Sequence, residues 1–147
     1  MILLGCPEPP VLIPSFLYLV NLLKNKGYNV FVSANPAALK LIETADSEKY
    51  YINGVGFQNI EEGIKNKIDV DKIISFVHND AGVHYTITYK MVYNTETISL
   101  VFGRTINEEY IKELEEEGIK TYSARAFHNP TPIVVKLKKI VNNINCK

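Results

Sequence analysis

Short apolar runs recur along the chain, and most are followed by a stretch whose hydrophobic positions return at helical spacing. Ile2 to Leu4 reads as a buried strand that Gly5 ends. Ile13, Phe16, Leu17, Val20 and Leu23 then keep the period of a helix, with Pro14 in its first turn, Lys24 and Lys26 in its last and Gly27 as its stop. Tyr28 to Ser33 is the second strand. Asn35-Pro36 is a strong helix start, because the Asn side chain caps free N–H groups and proline gives up nothing at the first helical position. That helix runs to about Thr44. Tyr50 to Ile52 is expected as the third strand, Asn53-Gly54 as a turn and Ile60 to Lys67 as a short helix. Ile73 to Val77 is the fourth strand.

Two cues conflict over Ala81 to Tyr93. Val83, Tyr85, Ile87, Tyr89 and Met91 alternate with His84, Thr86, Thr88 and Lys90, which is a strand pattern. But Thr97 to Phe102 is the next obvious strand, and a parallel crossover from the fourth needs a dozen or more residues, usually a helix. Helix is therefore predicted for Ala81 to Tyr93, with His84 packed among its neighbours. Asn107 to Glu117 is a polar helix ending at Gly118, and Ile119 to Ala124 is the sixth strand. Pro130 or Pro132 opens a last helix carrying Ile133, Val134, Leu137, Ile140, Val141 and Ile144. This alternation predicts an α/β fold: three-layer α/β/α, Rossmann-like, with a mostly parallel sheet of about six strands, forming a single domain over residues 1–147.

Composition narrows the class. With 46% hydrophobic and 22% charged residues the chain is of ordinary globular type. Lys plus Arg balances Asp plus Glu at 16 each, which argues against general attraction to nucleic acid or a membrane surface. Cys6 and Cys146 stand near opposite ends, with Cys146 expected to fray, so no disulfide framework is indicated and a reducing, intracellular compartment is expected. No basic leader precedes the first strand, and the longest apolar stretch, Val11 to Leu23, is broken by Pro14, Ser15 and Asn21 and falls short of the ~20 residues of a membrane span.

If the strands are parallel, their carboxyl ends share one edge, the usual place for a ligand in such a sheet. That edge would hold Cys6, Asn35, His78, Asn79, Asp80, Arg104, Arg125 and His128. Cys6 is either a thiolate nucleophile or a small buried residue at a strand end. His78 and His128 suit acid–base work or, with Cys6, metal ligation; their distance in sequence carries no metal signature, and a hydrogen-bonded or capping role is the plainer one. Arg104 and Arg125 each follow a strand, where guanidinium forks bind phosphate or carboxylate, though ordinary surface arginines would look the same. Asn35, Asn79 and Asn129 are explained by capping alone. Gly5-Cys6-Pro7-Glu8-Pro9-Pro10 is neither a dinucleotide fingerprint nor a P-loop, and its prolines lack the N–H groups that cradle phosphate.

Leu4-Gly5-Cys6-Pro7-Glu8, Ala34-Asn35-Pro36-Ala37-Ala38-Leu39, Asn79-Asp80-Ala81, Asn94-Thr95-Glu96-Thr97 and Ala124-Arg125-Ala126-Phe127-His128-Asn129-Pro130 together resemble a small family of uncharacterised proteins from methanogenic archaea. The resemblance implies a three-layer α/β/α fold, supports a helix over Ala81 to Tyr93 and implies a methanogen cytoplasm. It carries over no activity, cofactor or catalytic residue. The expected function is a non-hydrolytic accessory protein binding an anionic small molecule, a cofactor or a methanogenesis-related partner protein at the sheet edge. Arg104 and Arg125 would hold the anion, with polar contacts from Asn35, Asn79 and His128. The rival is a thiol- or metal-dependent enzyme using Cys6 with His78 or His128. A homodimer is also expected, from a helix apolar nearly all round at Tyr85, Ile87, Tyr89, Met91, Val92 and Tyr93.

Overall fold

Aliphatic and β-branched side chains suit a pleated surface buried on both sides, and such runs supply the inner strands of a six-stranded sheet in the computed structural model, which describes residues 1–144, while its two edge strands are more polar. The strands are β1 (Ile2–Leu4), β2 (Phe31–Ala34), β3 (Gly56–Asn59), β4 (Lys72–Val77), β5 (Glu96–Gly103) and β6 (Lys120–Arg125). The intervening helices are α1 (Leu12–Asn25), α2 (Pro36–Ala45), α3 (Ile60–Lys65), α4 (Asp80–Tyr93), α5 (Glu108–Glu116) and α6 (Thr131–Asn143). The expectation for Cys146 lies outside the described residues.

All five strand pairings are parallel, and the order is β3-β2-β1-β4-β5-β6. The chain builds outward from β1 to one edge, returns to β4 and builds outward to the other. The reversal lies between β1 and β4, whose Ile2 and Leu3 pair with Ile74 and Ser75. The largest core cluster joins one sheet face, including Ile2, Leu4, Phe76 and Leu100, to α1, α2 and α6 through Phe16, Leu19, Ile42 and Leu137. Two smaller clusters cover the other face: Tyr89 and Tyr93 of α4 with Ile60 of α3 on Leu3 and Ile73, and Val83 of α4 with Leu114 of α5 on Val77 and Val101. This is the three-layer α/β/α arrangement.

Most predicted elements are present, and Ala81 to Tyr93 is helical. Asn35, Asn59, Asn79 and Asn107 each cap the next helix by accepting a backbone N–H. Two expectations fail. The third strand is Gly56–Asn59, not Tyr50 to Ile52. The reason is Asp46, whose carboxylate accepts the N–H groups of Tyr50, Tyr51 and Ile52 at 2.8, 2.8 and 2.9 Å. A backbone wound round one carboxylate has no N–H left for a neighbouring strand. His84 is exposed on α4 and does not pack among its neighbours. The buried side of that helix is Gly82, Val83, Thr86, Tyr89 and Tyr93.

Candidate functional site

The parallel pairing sets the carboxyl ends of all six strands along one rim. The rim's cavity, about 260 Å³, lies beyond the ends of β4 and β5 and is lined in part by Pro9, His78, Phe102, Arg104, Tyr110 and Phe127. Its floor is apolar, since Phe102 is 2% exposed and Pro9 is buried. Its mouth carries Arg104, which is exposed.

Arg104 is held in place. Its guanidinium carbon lies 3.9 Å from the centre of the Phe127 ring, and its Nη2 donates toward His128 Nε2 at 3.5 Å. Register explains the meeting: Gly103 pairs with Arg125, and the Ala126 N–H continues the ladder onto the Gly103 carbonyl at 3.0 Å, so the segments leaving β5 and β6 run side by side. A guanidinium over an aromatic face still has N–H donors to offer, and those not aimed at His128 can meet an acid. Among the described residues no carboxylate lies within ion-pair distance of Arg104. Because arginine only donates, His128 Nε2 is the acceptor of that contact.

The loop after β6 reaches further. The Phe127 carbonyl accepts the Val11 N–H at 3.1 Å, and Pro9 takes the Leu12 N–H at 3.1 Å. Pro14 has no N–H to offer. These bonds occupy the Val11 and Leu12 N–H groups at the amino end of α1, the place beside the β1/β4 reversal where a doubly wound sheet most often takes a nucleotide phosphate. The reversal itself is bridged by His78, whose ring Nε2 lies 2.7 Å from the Cys6 carbonyl oxygen. A carbonyl only accepts, so Nε2 carries the proton of that bond. The His78 ring also leans on Phe102, 5.5 Å between centres. The Tyr110 hydroxyl, from α5, has its pKa pushed up by burial and then by the charge of Asp80.

The structure thus gathers Arg104 and His78 in the cavity and His128 against Arg104, while Asp80, at the start of α4, does not line it. It does not gather the rest. Asn35 caps α2 beyond β2, with its Oδ1 2.8 Å from the Ala37 N–H. Asn79 is spent on the Gly82 N–H and Asn129 on the Thr131 N–H. Arg125 is exposed at the end of the edge strand and does not line the cavity. Cys6 meets His78 through its carbonyl, and its exposed thiol has no hydrogen bond among the described residues, so no thiol–imidazole pair exists. Nor do Cys6, His78 and His128 make a metal set: among the described residues no group of three or more His, Cys, Asp or Glu is placed to hold an ion. Phe127, Tyr110 and Pro9 were not foreseen as site residues. Only the β5–β6 register would have signalled Phe127, by setting it beside Arg104.

A six-stranded parallel sheet in this order, with a small cavity at its carboxyl rim, defines a doubly wound α/β protein of the Rossmann-like class. The chain belongs to the family described as "Domain of unknown function (DUF1890)", whose model matches residues 1–140. It is 56% identical over 144 residues to "Uncharacterized protein MJ0452" of the methanogen Methanocaldococcus jannaschii, covering 98% of this chain and 97% of that one. The solved structure of MT0777 superposes with a TM-score of 0.90 at 36% identity, over 98% of this chain and 97% of that one. The family resemblance and the fold class read from the sequence both hold. No helix among the described residues is long and apolar enough to cross a membrane.

Proposed function

We propose that this protein is a non-hydrolytic accessory or binding protein that takes a small anionic molecule at the carboxyl rim of its sheet. In the same reading it works in a methanogen cytoplasm, as a homodimer, and presents that molecule to a methanogenesis-related partner protein. One observation carries the anion reading: Arg104 rests over the Phe127 ring at the mouth of the cavity with no carboxylate partner among the described residues. Ordering a long side chain costs conformational entropy, and a guanidinium ordered in advance returns that cost to a ligand as affinity. The cavity of about 260 Å³ suits a small metabolite and is below the range typical of drug-sized ligands.

Calorimetric titration of small carboxylates and phosphates into wild type and Arg104→Ala tests this. A charge-assisted contact of about 2 kcal/mol corresponds to roughly a 30-fold weaker dissociation constant in the variant. Equal affinity in both proteins, or no anion bound by either, overturns the reading. Light scattering at two concentrations reads the assembly separately, and the mass of one chain at both removes the dimer.

A further inference from the structure

The cavity walls carry more rings than charges. Among the described residues that line it, Arg104 is the one with a permanent charge, and none is a carboxylate or a lysine. Ring side chains reach it from separate segments: Pro9 from the loop after β1, His78 from the end of β4, Tyr110 from α5 and Phe127 from the loop after β6, with Phe102 of β5 in the floor. These rings are held by the protein's own contacts. His78 is fixed by its 2.7 Å bond to the Cys6 carbonyl and by the Phe102 ring, 5.5 Å away between centres. Tyr110 is half-buried and packs on the cluster of Val77, Val101 and Leu114. The Phe127 ring meets His128 edge-on, 4.8 Å between centres, and has Arg104 over its face.

Walls of this kind discriminate between ligand bodies of equal size. An aromatic body gains offset-stacked and edge-to-face contacts beyond the area it buries, whereas a puckered ring or an open chain gains the area alone. Rings already in place lose little further freedom when a ligand arrives. Size agrees as well. An apolar cavity of about 150 Å³ is enough to hold benzene. The cavity here, about 260 Å³, takes such a ring and leaves room for an acidic group to reach Arg104 at the mouth. Building on the anion reading above, we infer that the ligand is a small aromatic acid, its ring seated among His78, Phe102, Tyr110 and Phe127 and its acidic group on Arg104.

Three carboxylates separate the possibilities when titrated into wild type, Arg104→Ala and Tyr110→Leu: benzoate, cyclohexanecarboxylate and acetate. The first two share charge and approximate size and differ in aromaticity, and acetate has no body to seat. Phe127 is left intact because it also steadies Arg104, and circular dichroism checks that each variant folds. In wild type benzoate should bind about fivefold tighter than cyclohexanecarboxylate, with acetate weakest. Tyr110→Leu should narrow the gap between the two rings, and Arg104→Ala should weaken all three. If cyclohexanecarboxylate or acetate matches benzoate in wild type while binding still depends on Arg104, this inference falls and the anion reading stands. A gap undiminished in Tyr110→Leu likewise overturns the seat described. If none of the three depends on Arg104, both readings fall together.

Discussion

At the scale of the residue, single polar side chains decide where this chain turns. Asp46 is the clearest case. Burial alone would push its carboxyl up, but three backbone N–H donors, from Ile52, Tyr51 and Tyr50, outweigh that, with the Lys24 charge adding to them, and hold it below its ordinary value of 3.8. Lys24 in turn donates to the Tyr51 and Asn53 carbonyls at 3.1 and 2.9 Å, so the turn is fastened from both sides. Asp46→Ala should cost about 2 kcal/mol in urea unfolding, because it strands three donors at once. The lowered carboxyl also sets a pH dependence. The unfolded state binds the proton more readily, so this stability is full above about pH 4 and is lost as pH falls through the lower folded value. In Asp46→Asn that part of the acid sensitivity should be absent. An unchanged acid midpoint in the variant would show that the carboxylate does not carry it. The sequence placed a strand here because Tyr50, Tyr51 and Ile52 have the composition of one. A side chain bonded to amides four to six residues ahead leaves no trace in hydrophobic pattern.

At the scale of the element, α4 shows why the sequence pattern was ambiguous and how tertiary structure resolves it. Positions alternating by two are also two helical stripes. Tyr85, Tyr89 and Tyr93 form one, packed on α3 and the sheet; Val83 and Ile87 form the other, facing α5. A helix flanked on both sides fills both, so it looks like a strand in one dimension. Met91, 72% exposed, is the large apolar side chain of α4 left mostly to solvent, and the all-round apolarity is chiefly a matter of two neighbours. The tyrosine stripe also secures α3, which at six residues is too short to persist alone. Tyr85 donates to Glu61, Tyr89 to the Ile60 carbonyl at 2.6 Å and Tyr93 to the Gly63 carbonyl at 2.8 Å. Gly63 is the point of closest approach. A Cβ there would overlap the Tyr89 hydroxyl and stand 2.5 Å from Gln58 Nε2. Gly63→Ala should therefore destabilise by about 2 kcal/mol despite alanine's better helix propensity. Adding Tyr89→Phe removes one clashing atom, so the pair should lose less than the sum of the single changes. Strict additivity in thermal unfolding would mean the two sites do not touch as described.

At the scale of the whole molecule, strand alternation, parallel pairing and a common carboxyl rim were all legible, because a βαβ crossover leaves few other arrangements for six apolar runs. Which rim residues meet was not legible. Arg104 and His128 meet because they follow β5 and β6, which prove adjacent, whereas Arg125, at the end of that same β6, does not line the cavity, and Asn35 follows β2, on the other side of β1. The strand order is the one that elsewhere accompanies dinucleotides, yet the Val11 N–H and the Leu12 N–H are already taken and His78 bridges to Cys6. Adding NAD, FMN or ATP should leave the melting temperature unchanged within error. A rise that scales with nucleotide concentration would show that the amino end of α1 opens.

The bond from Val11 to the Phe127 carbonyl has a consequence in time as well as space. It joins the start of the first helix to a loop near the other end of the chain, so the cavity wall is among the contacts of longest sequence separation. During synthesis, β1 to β4 and their helices leave the ribosome well before Phe127 does. An anion held as proposed at Arg104 would find no site in the early stages of folding, since the ring that steadies Arg104 arrives after most of the sheet has been made.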